Sequence, residues 1–120
     1  MQLKLHPMLT CLSIFAAVVF GSRGGWRTAT VYSGTSCLGT NIGSVSNFGC
    51  GGTCWSSGTD IWSIKLVQRT TTILNPSANL YASSNCGGSR LARAGIWDWD
   101  LEGCTTLPSA ARSFYLYYNC

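Results

Sequence analysis

The sequence predicts an all-β domain built from two copies of one four-stranded unit and stabilised by disulfides. Three observations carry this expectation. Gly, Ser, Thr and Asn fill the gaps between short runs rich in Val, Ile, Tyr, Trp and Thr, and nothing beyond residue 21 sustains a helical apolar period over three turns. The stretches TATVYSGTSCLGT (28–40) and SANLYASSNCGGS (77–89) repeat one spacing, Tyr32, Cys37, Gly39 and then Tyr81, Cys86, Gly88. Six cysteines remain once an N-terminal leader is set aside.

That leader comes first. Residues 1–7 carry Lys4 and His6, and residues 8–20 form an apolar run, MLTCLSIFAAVVF, the length of a signal-peptide hydrophobic region and too short to span a bilayer. Val19 and Gly21 are the small residues that suit cleavage, which places a signal peptide at 1–21 and the protein outside the cell. A buried helix of the folded domain is the rival reading; the order of charged head, apolar middle and small-residue end favours the leader. Residues 22–120 then make one small domain of 99 residues.

Eight strands are expected in it, in two sets of four: 28–33, 39–46, 53–56 and 61–70, then 78–83, 89–94, 96–102 and 111–119. The sets correspond along their length. Val31, Tyr32, Cys37 and Gly39 map to Leu80, Tyr81, Cys86 and Gly88 at an offset of 49, and Cys54, Ser63, Ile64 and Leu66 map to Cys104, Ser113, Phe114 and Leu116 at an offset of 50. One single-residue insertion reconciles the two, and a repeat this long implies two copies of a unit, each with an apolar face to bury against its twin. Strand parity puts Ile64 and Leu66, and Phe114, Leu116 and Tyr118, towards the shared core.

A tyrosine, a glycine seven residues on, and a serine ahead of an alternating apolar strand resemble the Greek-key signature of the βγ-crystallin superfamily, here Tyr32, Gly39, Ser63 and again Tyr81, Gly88, Ser113. The resemblance covers essentially all of 22–120. It implies two Greek keys, about 28–70 and 77–120, packed as a βγ-crystallin-like sandwich, with a hairpin folded over each sheet, a glycine in a conformation closed to other residues and a serine holding the hairpin down. The physics agrees, since positive φ is cheap only for glycine and a hydroxyl can satisfy backbone groups at a tight fold.

An even cysteine count in an exported chain points to a disulfide framework among Cys37, Cys50, Cys54, Cys86, Cys104 and Cys120. Pseudo-symmetry favours Cys37–Cys54 and Cys86–Cys104, with Cys50–Cys120 across the repeats; Cys37–Cys86 with Cys54–Cys104 is equally symmetric. Cys50 and Cys54 form a lone C-x3-C with no mature histidine nearby, which argues against zinc. The superfamily's calcium loop, two Asn/Asp residues followed by x-x-Ser/Thr-Ser, corresponds to 58–63 and 108–113. Trp62 and Arg112 replace its oxygen-bearing residue and the acidic pair is missing, leaving Asp60 as a remnant of a weak site; no metal or cofactor is expected.

Residues 22–120 hold seven positive residues against four negative, a net charge of +3. The positives are scattered, so a nucleic-acid groove is not expected, whereas weak attraction to an anionic cell surface is compatible. Catalysis is constrained by absences. His6 is the only histidine and Lys65 the sole lysine after the leader, which removes serine–histidine and cysteine–histidine nucleophile pairs. In IWDWDLEG (96–103), read as a strand, Asp98, Asp100 and Glu102 would line one face about 6–7 Å apart, a spacing that overlaps paired glycosidase carboxylates. A solvated strand face is the plainer account, and no enzyme is expected. By the same parity Trp97 and Trp99 are assigned to the core, and Trp55 is the expected exposed contact residue.

The expectation for function is therefore a secreted, monomeric, non-enzymatic protein that acts on another cell through a surface glycan or protein. In size, leader and architecture it resembles small microbial killer-toxin-like proteins of crystallin-like fold. A carbohydrate-binding or structural wall-associated module is the alternative.

Overall fold

A computed structural model describes residues 5–7, 27–48, 51–69, 75–97 and 99–118 of the chain. Seven strands form one antiparallel sheet: β1 (Leu5–Pro7), β2 (Arg27–Tyr32), β3 (Asn41–Ser46), β4 (Gly51–Gln68), β5 (Pro76–Tyr81), β6 (Arg90–Gly95) and β7 (Glu102–Tyr118), with a short 3-10 turn at Thr35–Cys37. The strand order is β3-β2-β4-β7-β5-β6, with β1 added to β4. Of residues 1–21, expected to form a leader, Leu5–Pro7 lies among the described residues and pairs with Trp55–Ser57. No helix among the described residues is long and apolar enough to cross a membrane.

The two long strands, 18 and 17 residues, organise everything else. The C-terminal half of β4 pairs with β2, and the C-terminal half of β7 pairs with β5 in the equivalent register. Their N-terminal halves are exchanged. Gly51–Ser56 of β4 runs beside Ser113–Tyr118 of β7, while Glu102–Thr106 of β7 runs beside Ser63–Val67 of β4, and the register is irregular in between. Each half of the sheet thus takes three strands from one repeat and a fourth from the other.

The sequence reading differs here in two ways. The separate strands at 53–56 and 61–70 are one continuous strand, because the Gly-Ser-rich stretch between them is absorbed by the register shift around Ile61. The strand expected at 96–102 is not formed by the described residues there; 96, 97 and 99–101 are turn or irregular, and strand begins at Glu102. The alternation of Trp, Asp and Leu imitates period two without forming a ladder.

Both halves share one core. Ala29, Val31, Val45, Ile61, Ile64 and Leu66 from the first repeat meet their counterparts Ala78, Leu80, Ala94, Ala111, Phe114 and Leu116 from the second in a single buried cluster. Each fully buried Leu, Ile or Phe contributes about 1.5–3 kcal/mol relative to exposure. The inward set has the parity read from the sequence, and Tyr118 packs at the edge of the cluster.

The turns are held identically. The Ser63 hydroxyl donates to the Gly34 carbonyl (2.6 Å) and accepts from the Cys37 N–H (2.8 Å); the Ser113 hydroxyl donates to the Ser83 carbonyl (2.6 Å) and accepts from the Cys86 N–H (2.8 Å). Both serines are fully buried, so these bonds replace the water each hydroxyl gave up. Cys37 and Cys86 share φ of +57°, and Gly39 and Gly88 follow at +85° and +76°, a region that favours a residue without Cβ. A Cβ on Gly39 would also come within 3.0 Å of the Gly34 nitrogen.

The disulfides correct the pairing favoured from sequence. They join Cys37 to Cys104 and Cys54 to Cys86. Strand exchange is the physical reason. Cys54 lies in the part of β4 that borders β7, beside the 83–86 turn, where the Ser56 hydroxyl also donates to the Ser84 carbonyl (2.7 Å). Cys104 lies in the part of β7 that borders β4, beside the 35–37 turn, where the Ser36 N–H donates to Thr106 Oγ1 (2.8 Å). This third symmetric arrangement appears only when each repeat lends a strand to the other. The expected Cys50–Cys120 bridge falls outside the described residues.

Candidate contact site

The largest exposed apolar side chains among the described residues gather in the connection from β6 to β7. Trp97 is 82% exposed, Trp99 66% and Leu101 48%. This overturns the assignment of both tryptophans to the core: parity governs a strand, and the described residues 96, 97 and 99–101 do not form one. The carboxylate ladder inferred for Asp98, Asp100 and Glu102 lapses for the same reason. Asp100 and Glu102 are exposed, and Asp98 falls outside the described residues. Trp55, the residue expected to be exposed, is instead partly buried against the core, and its indole N–H finds no hydrogen-bond partner among the described residues. Trp26 also lies outside the described residues.

The exposed loop is held from beneath by two amides, Gln68, which is buried, and Asn75, which is half-buried. Gln68, at the end of β4, donates its N–H to the Leu101 carbonyl (2.8 Å), and its Nε2 donates to the Asp100 carbonyl (2.9 Å) and to Asn75 Oδ1 (2.8 Å). Asn75 Nδ2 donates to the Ile96 carbonyl (2.9 Å). The Asp100 N–H closes the turn on the Trp97 carbonyl (3.0 Å), and Ile96 is buried as an apolar foot. On the far side Gly103 passes so close to Gly95 that a Cβ would meet its carbonyl at 2.6 Å. The loop is therefore fixed at Ile96, Asp100 and Leu101 while the side chains of Trp97, Trp99 and Leu101 face solvent.

Trp99 has φ of +72°. For a residue with a Cβ this left-handed conformation costs about 1–2 kcal/mol, and a bulky one is seldom found there. Strain of this kind persists where surrounding bonds over-determine the backbone, which the Gln68–Asn75 clamp does. The local balance is acidic: Asp98, Asp100 and Glu102 interleave with the apolar residues in a chain that is otherwise mildly basic.

The other charge feature of the sequence reading has a structural use. Asp60 Oδ1 accepts from Arg112 Nε at 2.6 Å, an exposed ion pair between the two stretches aligned with the calcium loop. Among the described residues no three His, Cys, Asp or Glu side chains gather to hold a metal ion.

Sequence reasoning missed the role of Gln68 and Asn75, since an amide that braces a loop carries no spacing signature. A signal for the loop was present: the insertion that shifts the repeat offset from 49 to 50 lies between Ser46 and Gly51 in one copy and between Gly95 and Leu101 in the other. No protein-family model, no curated protein and no solved structure matches the chain.

Proposed function

We propose that this is a secreted, non-enzymatic domain of βγ-crystallin type, two Greek keys in a disulfide-stapled sandwich, and that it works as a toxin- or effector-like protein by contact with another cell. The observation that carries the contact reading is the clamped 96–101 loop, which presents Trp97 and Trp99 to solvent on a rigid base. Exposed aromatic residues add little to the stability of a small domain but can anchor a partner. The architectural part is supported by the matched serine pins, the positive-φ glycines and the exchanged strands. Bridges of this kind suit an oxidising compartment, which supports export.

Residues 22–120, purified and oxidised, are to be applied to competing microbes and to host cells. Growth inhibition or a host-cell response that disappears in the Trp97→Ala/Trp99→Ala double variant, with the unfolding midpoint unchanged, supports the proposal; no response from any cell type at micromolar protein sinks it. The carboxylates beside the tryptophans favour one second reading, a wall-associated carbohydrate-binding module. Retention on chitin or glucan without any cellular response is its signature.

A further inference from the structure

We infer that the 96–101 loop binds a β-linked, glucose-configured polysaccharide chain through the faces of Trp97 and Trp99. The inference rests on the contact reading above and names the ligand for that site.

Size sets the first limit. A standard protein–protein interface takes about 20–30 residues a side, and the exposed apolar group here is Trp97, Trp99 and Leu101 on one loop. A ligand matched to two indole faces is a small or linear molecule. Charge sets the second. Asp100 and Glu102 are exposed and follow Trp99 closely in the chain, so phosphate, nucleic acid and anionic lipid headgroups meet repulsion. Insertion into a bilayer would carry those carboxylates towards hydrocarbon.

A sugar satisfies both limits. Glucose-configured pyranoses joined by β-linkages carry their hydroxyls equatorially and their C–H bonds axially, so each ring offers an apolar face to an aromatic side chain and a rim of hydroxyl donors. Carboxylates are acceptors without donors of their own, and they complement that rim. The clamp contributes as well. Gln68 and Asn75 fix the loop carbonyls and Trp99 is already held in its left-handed conformation, so little backbone ordering opposes binding. A neutral glucan, an N-acetylated chain and a deacetylated chain share the stacking chemistry; the last adds ammonium groups for the carboxylates.

The oxidised 22–120 protein, Trp97→Ala, Trp99→Ala and, as an exposed apolar control, Leu38→Ala are to be incubated with insoluble cellulose, chitin, chitosan, β-1,3-glucan and choline-coupled agarose, with depletion and tryptophan emission as readouts. The expected result is retention on at least one polysaccharide with an emission blue shift, weakened about threefold to tenfold by each tryptophan substitution and unchanged by Leu38→Ala. Binding of chitosan that survives high salt shows the ring faces at work, whereas binding abolished by salt and indifferent to both tryptophan substitutions is ion exchange and overturns the inference. Capture by choline alone, or no retention at all, also overturns it. A cell response lost in the tryptophan variants without polysaccharide binding removes this inference and leaves the contact reading standing; polysaccharide binding without any response does the reverse.

Discussion

The connection from β3 to β4 and the connection from β6 to β7 occupy equivalent places in the two repeats, yet they treat their aromatic residues in opposite ways. Phe48 is 7% exposed and belongs to the core, while Trp97, its counterpart at the offset of 49, is 82% exposed. The clamps differ too. In the first repeat Arg27 Nη1 donates to the Phe48 carbonyl (2.7 Å), with its guanidinium 3.7 Å over the Tyr118 ring, and the Asn47 N–H donates to the Arg27 carbonyl (2.7 Å). In the second, Gln68 stands at the position equivalent to Tyr118, and Pro76 at that equivalent to Arg27. Where the repeats agree, at the serine pins, the turn glycines and the inward strand residues, the shared features serve folding. Where they part, the second repeat has turned an apolar plug outward and built a separate support beneath it.

Substitutions can break this comparison at several strengths. The largest contrast is expected between Phe48→Ala, which should cost about 3–4 kcal/mol by emptying part of the core, and Trp97→Ala, which should stay within about 0.5 kcal/mol. Chemical denaturation of both proteins measures it, and equal losses would mean the two loops are packed alike. Next come the bridges. Replacing Cys37 and Cys104 by serine should cost about 2–4 kcal/mol, and more than replacing Cys54 and Cys86, because the separations are 67 and 32 residues. Thermal unfolding of the two double variants ranks them.

A smaller and symmetric effect is expected from Ser63→Ala and Ser113→Ala, about 1–2 kcal/mol each, since each takes the serine hydroxyl from a carbonyl and an N–H in a part-buried turn. Losses that differ by more than about 1 kcal/mol between them would show that the pins are not equivalent. Smallest, and opposite in sign, is Trp99→Gly. Relief of the left-handed backbone should raise stability by up to about 1 kcal/mol, less what glycine's unfolded-state freedom takes back. A lowered unfolding midpoint would show that the indole packs against something.

Much of the fold was legible because its turns are marked. The Tyr-x6-Gly spacing framed β2, β3, β5 and β6 closely, and alternation in 63–67 and 113–118 chose the inward residues correctly. Other features were hidden for definite physical reasons. A repeat shows that two units are alike but not which copy each strand joins, so Cys54 and Cys104 were assigned to their own halves. Residues 102–106, Glu-Gly-Cys-Thr-Thr, carry almost no apolar signal because they form a polar, mostly exposed strand, whereas Trp97 to Leu101 carry a false one. The candidate site was misplaced on that account: Trp55 was chosen over the two tryptophans that face solvent, and the amides beneath them were invisible to any pattern of residue types.

The crossed bridges have a further consequence for how the chain tolerates damage. Both of them run from a residue before the segment that joins the two repeats to a residue after it, and so does the strand exchange. A protease that severs the backbone between Gln68 and Pro76 therefore releases nothing: the product is a covalent two-chain molecule with its core intact, migrating as one species on a gel until thiol is added and as two fragments afterwards.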